Sequence, residues 1–176
     1  MLEKNIINSE MLVHIPMCTH KDAKKVLVIL GDVAIKNELA KYDAEVVYSD
    51  SFNIDDKFDV VIYNSDVVDD MIMANVMRSL ESSCGIFASK IVSFDDNSEA
   101  MKHDLGVIAK NFWIAMPYRS DAGMMVIASK KYHPQADIIL DRSDFIEASY
   151  YNTELHNASF VFPNYIQKPL TGIAKR

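Results

Sequence analysis

Three short polar clusters in this chain each follow an apolar run. Gly31-Asp32 follows Val26–Leu30, Ser49-Asp50-Ser51 follows Glu45–Tyr48, and Asn64-Ser65-Asp66 follows Phe58–Tyr63. The runs read as strands, and the first and third are nearly continuous in apolar residues, as strands buried on both faces are. Residues at the carboxyl ends of parallel strands face the crevice where such sheets bind ligands. Asp32, Asp50, Ser51, Asn64 and Asp66 should therefore lie near one another in space, where a ligand would sit. The first cluster also opens a helix that restarts at Ile35, so a helix N-terminus joins the site, an arrangement that holds nucleotide-like ligands. A turn of that kind normally needs several glycines so that the backbone can approach the ligand, and here Gly31 stands alone.

The elements that would position these clusters alternate. A helix late in residues 1–13 has Ser9 as a possible cap, and His14-Ile15-Pro16 ends it. Strand Val26–Leu30 leads to a helix over Ala34–Lys41, then strand Glu45–Tyr48 and strand Phe58–Tyr63. A helix over Asp69–Leu80, strand Ile86–Ser89 and a helix over Asn97–Leu105, capped by Asn97 or Ser98, come next. Asn111–Met116 and Met124–Ser129 read as an antiparallel hairpin turning at Arg119–Gly123. Phe145–Asn157 contains a last helix, and the tail from Pro163 is polar and loose. Trp113 on the hairpin is read as core. Strands alternating with helices predict an α/β fold with a mainly parallel sheet closed by a hairpin.

Composition narrows the class. With 49% hydrophobic and 24% charged residues, the 176-residue chain fits one domain with a real core. A net charge of −7 argues against binding a nucleic-acid backbone. Cys18 and Cys84 are far apart and read as reduced thiols of a cytoplasmic protein. No apolar run approaches the length that spans a bilayer, and the five histidines show no metal spacing.

Four blocks, in order, resemble one family within the methyltransferase-like Rossmann fold. His14-Ile15-Pro16 with His20 to Ile29 resembles the opening segment of spermidine synthases, which runs from an EM pair through a VL.IGGGDG turn. Phe58–Ile62 with Asn64-Ser65-Asp66 resembles their YDVII.DS.DP loop. Pro117-Tyr118 with Ala128-Ser129-Lys130 resembles their hairpin. Tyr150-Tyr151-Asn152, His156, Ala158, Phe160 and Pro163 match their terminal RYYN…H.AAF.LP pattern. The resemblance is closest to a divergent, glycine-poor branch.

The resemblance implies a cytosolic aminopropyltransferase. Such an enzyme moves the aminopropyl group of decarboxylated S-adenosylmethionine, a co-substrate, onto putrescine and needs no metal. It implies polyamine and nucleoside ligands and a homodimer, with neither nucleic acid nor a membrane as partner. Gly31, Asp32, Asp50 and Ser51 fall at the nucleoside side, and Tyr118 falls at a position lining the amine site. Asn8 and Ser9 replace an aromatic and a polar substrate contact.

The departures from the pattern are specific. The proton-accepting aspartate of the family is Asn64 here, and an amide cannot take that proton. Asp66 stands one residue out of register with the second acid of the motif and is the carboxylate left to substitute. GGGDG becomes Leu30-Gly31-Asp32-Val33-Ala34, with Val33 obstructing the ligand's approach. Between Tyr42 and Phe58 the chain is too short for two strands and a helix, so one strand–helix unit is deleted. Asp50-Ser51 then marks the adenine side with the ribose side lost, or Glu45–Tyr48 is the ribose-side strand with the adenine side lost. The amino-terminal β-domain of the family is absent, leaving residues 1–176 as a single Rossmann domain.

Plainer roles stand beside these. Asp32 can cap the helix after it, Asn64 and Asp66 can cap the helix near Asp69, and His156 can be a hydrogen-bonded core residue. Two readings follow: an unusually short aminopropyltransferase using Asp66, or a non-catalytic homologue kept as a binding or interaction module.

Overall fold

A computed structural model describes residues 1–176. Six strands form one mixed sheet in the order β2-β1-β3-β4-β6-β5. They are β1 (Lys25–Ile29), β2 (Glu45–Ser49), β3 (Val60–Tyr63), β4 (Ile86–Ile91), β5 (Ile114–Ser120) and β6 (Gly123–Ser129). The first four run parallel, and β6 pairs antiparallel with both β4 and β5. The expected α/β sheet with its hairpin is therefore present. A sheet of the 3-2-1-4-5-6 order carries two strands outside its first strand. Here only β2 lies outside β1, one strand short, and the outer edge of β2 has no partner strand.

Each strand's burial follows its place. β1 and β3 are internal, and every residue from Val26 to Ile29 and from Val60 to Tyr63 is buried. β2 is only half buried along its length, as an edge strand is. On one face of the sheet, Val28, Ile62 and Ala88 pack against Met11, Leu12 and Ile15 of α1 (Lys4–Met17) and against Ile35 and Leu39 of α2 (Val33–Leu39). On the other, Leu27, Val61 and Phe87 pack against Met73 and Val76 of α3 (Asp70–Ser79) and Met101 and Leu105 of α4 (Ser98–Ala109).

The helix starts follow their caps. Asp32, Asp69 and Asn97 each accept a hydrogen bond from the backbone N–H three residues on, at 2.9, 2.7 and 3.0 Å. Asp69 is therefore the cap of α3, and neither Asn64 nor Asp66 takes that role.

Four local expectations are corrected. First, α1 starts at Lys4, and Ser9 lies inside it with its hydroxyl donating to the Ile6 carbonyl. Second, the helix runs through Pro16 to Met17. Proline there forfeits one N–H bond, but His14, Ile15 and Met17 are buried to within 1% of full burial, and that packing holds the last turn. Third, Trp113 is 80% exposed, and its neighbour Phe112 is the buried residue, stacked on Phe87. Fourth, the tail is packed. Phe162, Ile166 and Leu170, spaced by four, are buried across α7 (Asn164–Gln167) and the 3-10 turn Lys168–Leu170, and Lys175 pairs with Ala115. The segment over Phe145–Asn157 does contain a helix, α6 (Thr153–Ala158), but α7 follows it, and α5 (Leu140–Ser143) precedes it.

The turn after β1 carries one strained residue. Leu30 has φ +58°, the left-handed region that a leucine disfavours by about 1–2 kcal/mol. Gly31 does not take the left-handed role. It is required for close packing, since a Cβ there would sit 2.6 Å from Val28 Cγ1. Leu30 is 42% exposed, so its side chain adds little packing. Leu30→Gly is therefore expected to raise stability by about 0.5–1 kcal/mol, the strain relieved less the extra entropy of glycine in the unfolded chain. Urea unfolding would show a higher midpoint at unchanged slope.

Candidate active site

Three strand ends meet at the carboxyl edge of β2, β1 and β3, and their backbones are stitched together. Leu30 N–H donates to the Ser49 carbonyl at 2.9 Å, and Asn64 N–H donates to the Ile29 carbonyl at 3.0 Å. Gly31, Asp32, Asp50, Ser51 and Asn64 are thus neighbours, as their positions after adjacent strands require.

Most of these groups are already committed. The Asp32 carboxylate caps α2. Ser51 is held in a small turn, its N–H on Ser49 Oγ and its carbonyl accepting from the same hydroxyl at 2.7 Å. The Asn64 side chain donates from Nδ2 to the Leu30 carbonyl at 2.9 Å. That bond ties β3 to the strained turn and uses the amide in the one capacity a carboxylate lacks, since an ionised acid only accepts. Asp50 is left as an exposed, unengaged carboxylate. Val33 is 72% exposed at the start of α2. None of Gly31, Asp32, Asp50, Ser51 and Asn64 lines the cavity that Asp66 lines.

Asn64→Asp places a carboxylate against the Leu30 carbonyl. The hydrogen bond, which is exposed to solvent, is lost and replaced by repulsion, a destabilisation of about 0.5–1.5 kcal/mol at pH 7. A protonated acid can donate to the carbonyl again, so the acid's pKa is raised in the folded variant. The deficit relative to the parent should shrink as pH falls through that raised pKa. Paired urea titrations at pH 7 and pH 5 check this.

Asp66 sits apart from that cluster. It lines a cavity of about 200 Å³ with Asn8 of α1, Lys90 near the end of β4, Ser93, Asp96 and Met124. Asn8 and Asp66 were singled out from the sequence, and the structure places them on one cavity. Lys90 was not, although a lysine near the end of an otherwise apolar strand is a signal the sequence carries. Tyr118 is in register with Met125, and Met125 with Lys90, so the three share a level of the sheet. Yet Tyr118 is fully buried, its hydroxyl donating to the Met11 carbonyl at 3.3 Å and its ring 5.4 Å from Phe160. Burial alone pushes its phenol above the usual range, and it does not line the cavity that Asp66 lines.

Two further clusters shape the site from below. Glu10, 2% exposed, takes the backbone N–H groups of Ser149, Tyr150 and Tyr151 at 2.9, 2.7 and 2.9 Å. This carboxylate welds α1 to the carboxyl-terminal segment beside the cavity's helix. His14, fully buried, bridges Tyr42 at 2.7 Å and Glu38 at 2.8 Å. Burial lowers its pKa below the ordinary value despite Glu38, which raises it. No group of three or more His, Cys, Asp or Glu side chains is placed to hold a metal ion, and no helix is long and apolar enough to cross a membrane.

Comparison with known proteins adds a family. The Spermine/spermidine synthase domain profile matches residues 5–58, which contain α1, the Leu30 turn and β2. A polyamine aminopropyltransferase of Lachnospira eligens is 26% identical over 220 aligned positions, covering 93% of this chain and 77% of that protein. The aligned span exceeds the whole 176-residue chain, so that relative carries internal segments missing here, in keeping with the short sheet. The crystal structure of spermidine synthase from Thermotoga maritima superposes with a TM-score of 0.75 at 25% identity, covering 94% of this chain and 74% of that one. A spermidine synthase in complex with the transition-state analogue AdoDATO superposes equally well, with a TM-score of 0.75 at 24% identity and the same coverage. Sequence blocks, sheet order and these relatives agree in one direction: the chain is similar to the spermidine synthases and diverges from them.

Proposed function

We propose that this chain is an aminopropyltransferase in which Asp66 takes the place of the base that Asn64 cannot be. The co-substrate is decarboxylated S-adenosylmethionine and the acceptor a small amine such as putrescine. The neutral amine nitrogen attacks the carbon beside the sulfonium. The new C–N bond forms as the C–S bond breaks, and methylthioadenosine leaves uncharged. The surplus proton on the nitrogen passes to Asp66. Amines of this type are protonated near neutral pH, with pKa values around 10, so a carboxylate serves both to hold the ammonium and to take its proton. Gly31, Asp50 and Ser51 border the nucleoside side.

The observation that carries this reading is the cavity in which Asp66 faces Asn8 at the carboxyl end of the sheet, where open α/β sheets bind their ligands. Release of methylthioadenosine from decarboxylated S-adenosylmethionine and putrescine tests it. Asp66→Asn should lower that rate about 100-fold or more, the usual worth of a positioned base. No product from the folded parent protein would sink the proposal.

A second reading, binding without transfer, is favoured by the Asn64–Leu30 hydrogen bond, which locks the would-be base position into the scaffold. Under it, methylthioadenosine or putrescine gives heat in calorimetry while no product ever forms.

A further inference from the structure

The cavity holding Asp66 contains a cation of the protein's own. Lys90 is the next-to-last residue of β4, and alternation along the strand sets its side chain on the same face as Ile86 and Ala88, toward α1 and Asn8. It is half-buried, and its ammonium forms no hydrogen bond and no ion pair within the protein. The side chains of Asn8, Asp66, Ser93 and Asp96 around it are equally unengaged. Five polar side chains therefore line one cavity with none of them satisfying another.

The charges in that lining have both signs. Asp66 and Asp96 suit an ammonium, while Lys90 repels one. A diamine presents two cations and would set one of them against Lys90, whereas a ligand with a carboxylate beside an ammonium would pair with both walls. A cavity of about 200 Å³ has room for on the order of seven water-sized groups, the scale of a small amino acid. We infer that this cavity takes a diamino acid, an amine bearing a carboxylate, in preference to a bare diamine, with Lys90 as the carboxylate's partner. The inference rests on the reading of this cavity as the amine site and names its ligand class.

Calorimetric titration with ornithine and with putrescine is the test, since the two differ only by the carboxylate. Ornithine should bind the full chain at least tenfold more tightly. Lys90→Gln should abolish that advantage while leaving the circular dichroism and melting temperature unchanged, because Lys90 has no partner to lose. Equal or reversed affinities in the parent protein would overturn the diamino-acid assignment and leave the amine-site reading standing. An ornithine advantage that survives in Lys90→Gln would also overturn it. No heat from either ligand would overturn both.

Discussion

Glu10→Leu lowers the unfolding free energy by at least about 3 kcal/mol. The carboxylate accepts three consecutive backbone N–H groups, from Ser149, Tyr150 and Tyr151, and hydrogen bonds to a charged acceptor are each worth about 1.5–3 kcal/mol. The Tyr151 N–H is buried and cannot turn to water once its acceptor is gone. Three successive N–H groups pointing at one anion form a nest, which no apolar side chain can fill. For a domain whose whole stability is about 5–15 kcal/mol, the loss is a large fraction. Glu10→Gln separates charge from shape: it retains one acceptor oxygen but turns an NH₂ group toward the remaining donor, and should fall between the parent and Glu10→Leu. Urea unfolding followed by circular dichroism checks both. A loss under about 1 kcal/mol in Glu10→Leu would show that the terminal segment is held by its apolar contacts instead.

The second large effect is acid sensitivity from His156. Its ring is fully buried, Nε2 donating to the Pro134 carbonyl at 2.9 Å and Nδ1 accepting from the Tyr151 hydroxyl at 2.8 Å. Burial, helped by nearby His14 and opposed by the Pro134 hydrogen bond, pushes its pKa down to about 4. The folded protein thus keeps His156 neutral where the unfolded chain, with an ordinary histidine pKa near 6.5, binds a proton. The sign follows: this contribution is fully present above pH 6.5 and is lost as pH falls from there toward 4, by about 3 kcal/mol over the window. Burial likewise lowers the pKa of His14, His20 and His133, which steepens the same slope. In His156→Gln, stability at pH 7 should drop, but the decline between pH 6.5 and 4 should flatten. Unfolding free energies at pH 7, 6, 5 and 4.5 measure the slope, and an unchanged slope would exclude His156 as its source.

Both effects come from residues whose neighbours in space are remote in sequence, and this marks what could be read from the sequence. The strands around Val26, Val60 and Ile86 declared themselves by continuous apolar runs, and the caps Asp32 and Asn97 by their place before a helix. These signals are local, and the mainly parallel sheet with its closing hairpin followed from them. The grip of Glu10 on Tyr151 spans the chain and has no periodicity, so it was invisible. The continuation of α1 through Pro16 was lost for the same reason, because tertiary packing overrode a local breaker. Trp113 and Phe112 are adjacent aromatics, and only the register of β5 decides which faces inward. At the site, the substitution of Asn64 was plain, but its partner was not: a leucine in left-handed conformation leaves no mark in a sequence. Lys90 was legible as an anomaly and was passed over because its significance depends on which strands stand beside β4.

The bond between Asn64 and the Leu30 carbonyl has a consequence for any redesign of this turn. An aspartate at position 64 sets its carboxylate against the backbone carbonyl of residue 30, which any residue there presents. A glycine at position 30 alone relieves strain but leaves an amide where a base is wanted. The two changes therefore act on folding with opposite signs, one removing a hydrogen bond and the other removing backbone strain. The junction between β1 and β3 is a tie whose strength positions 30 and 64 set jointly, so a stability measured for either change alone does not predict the double variant.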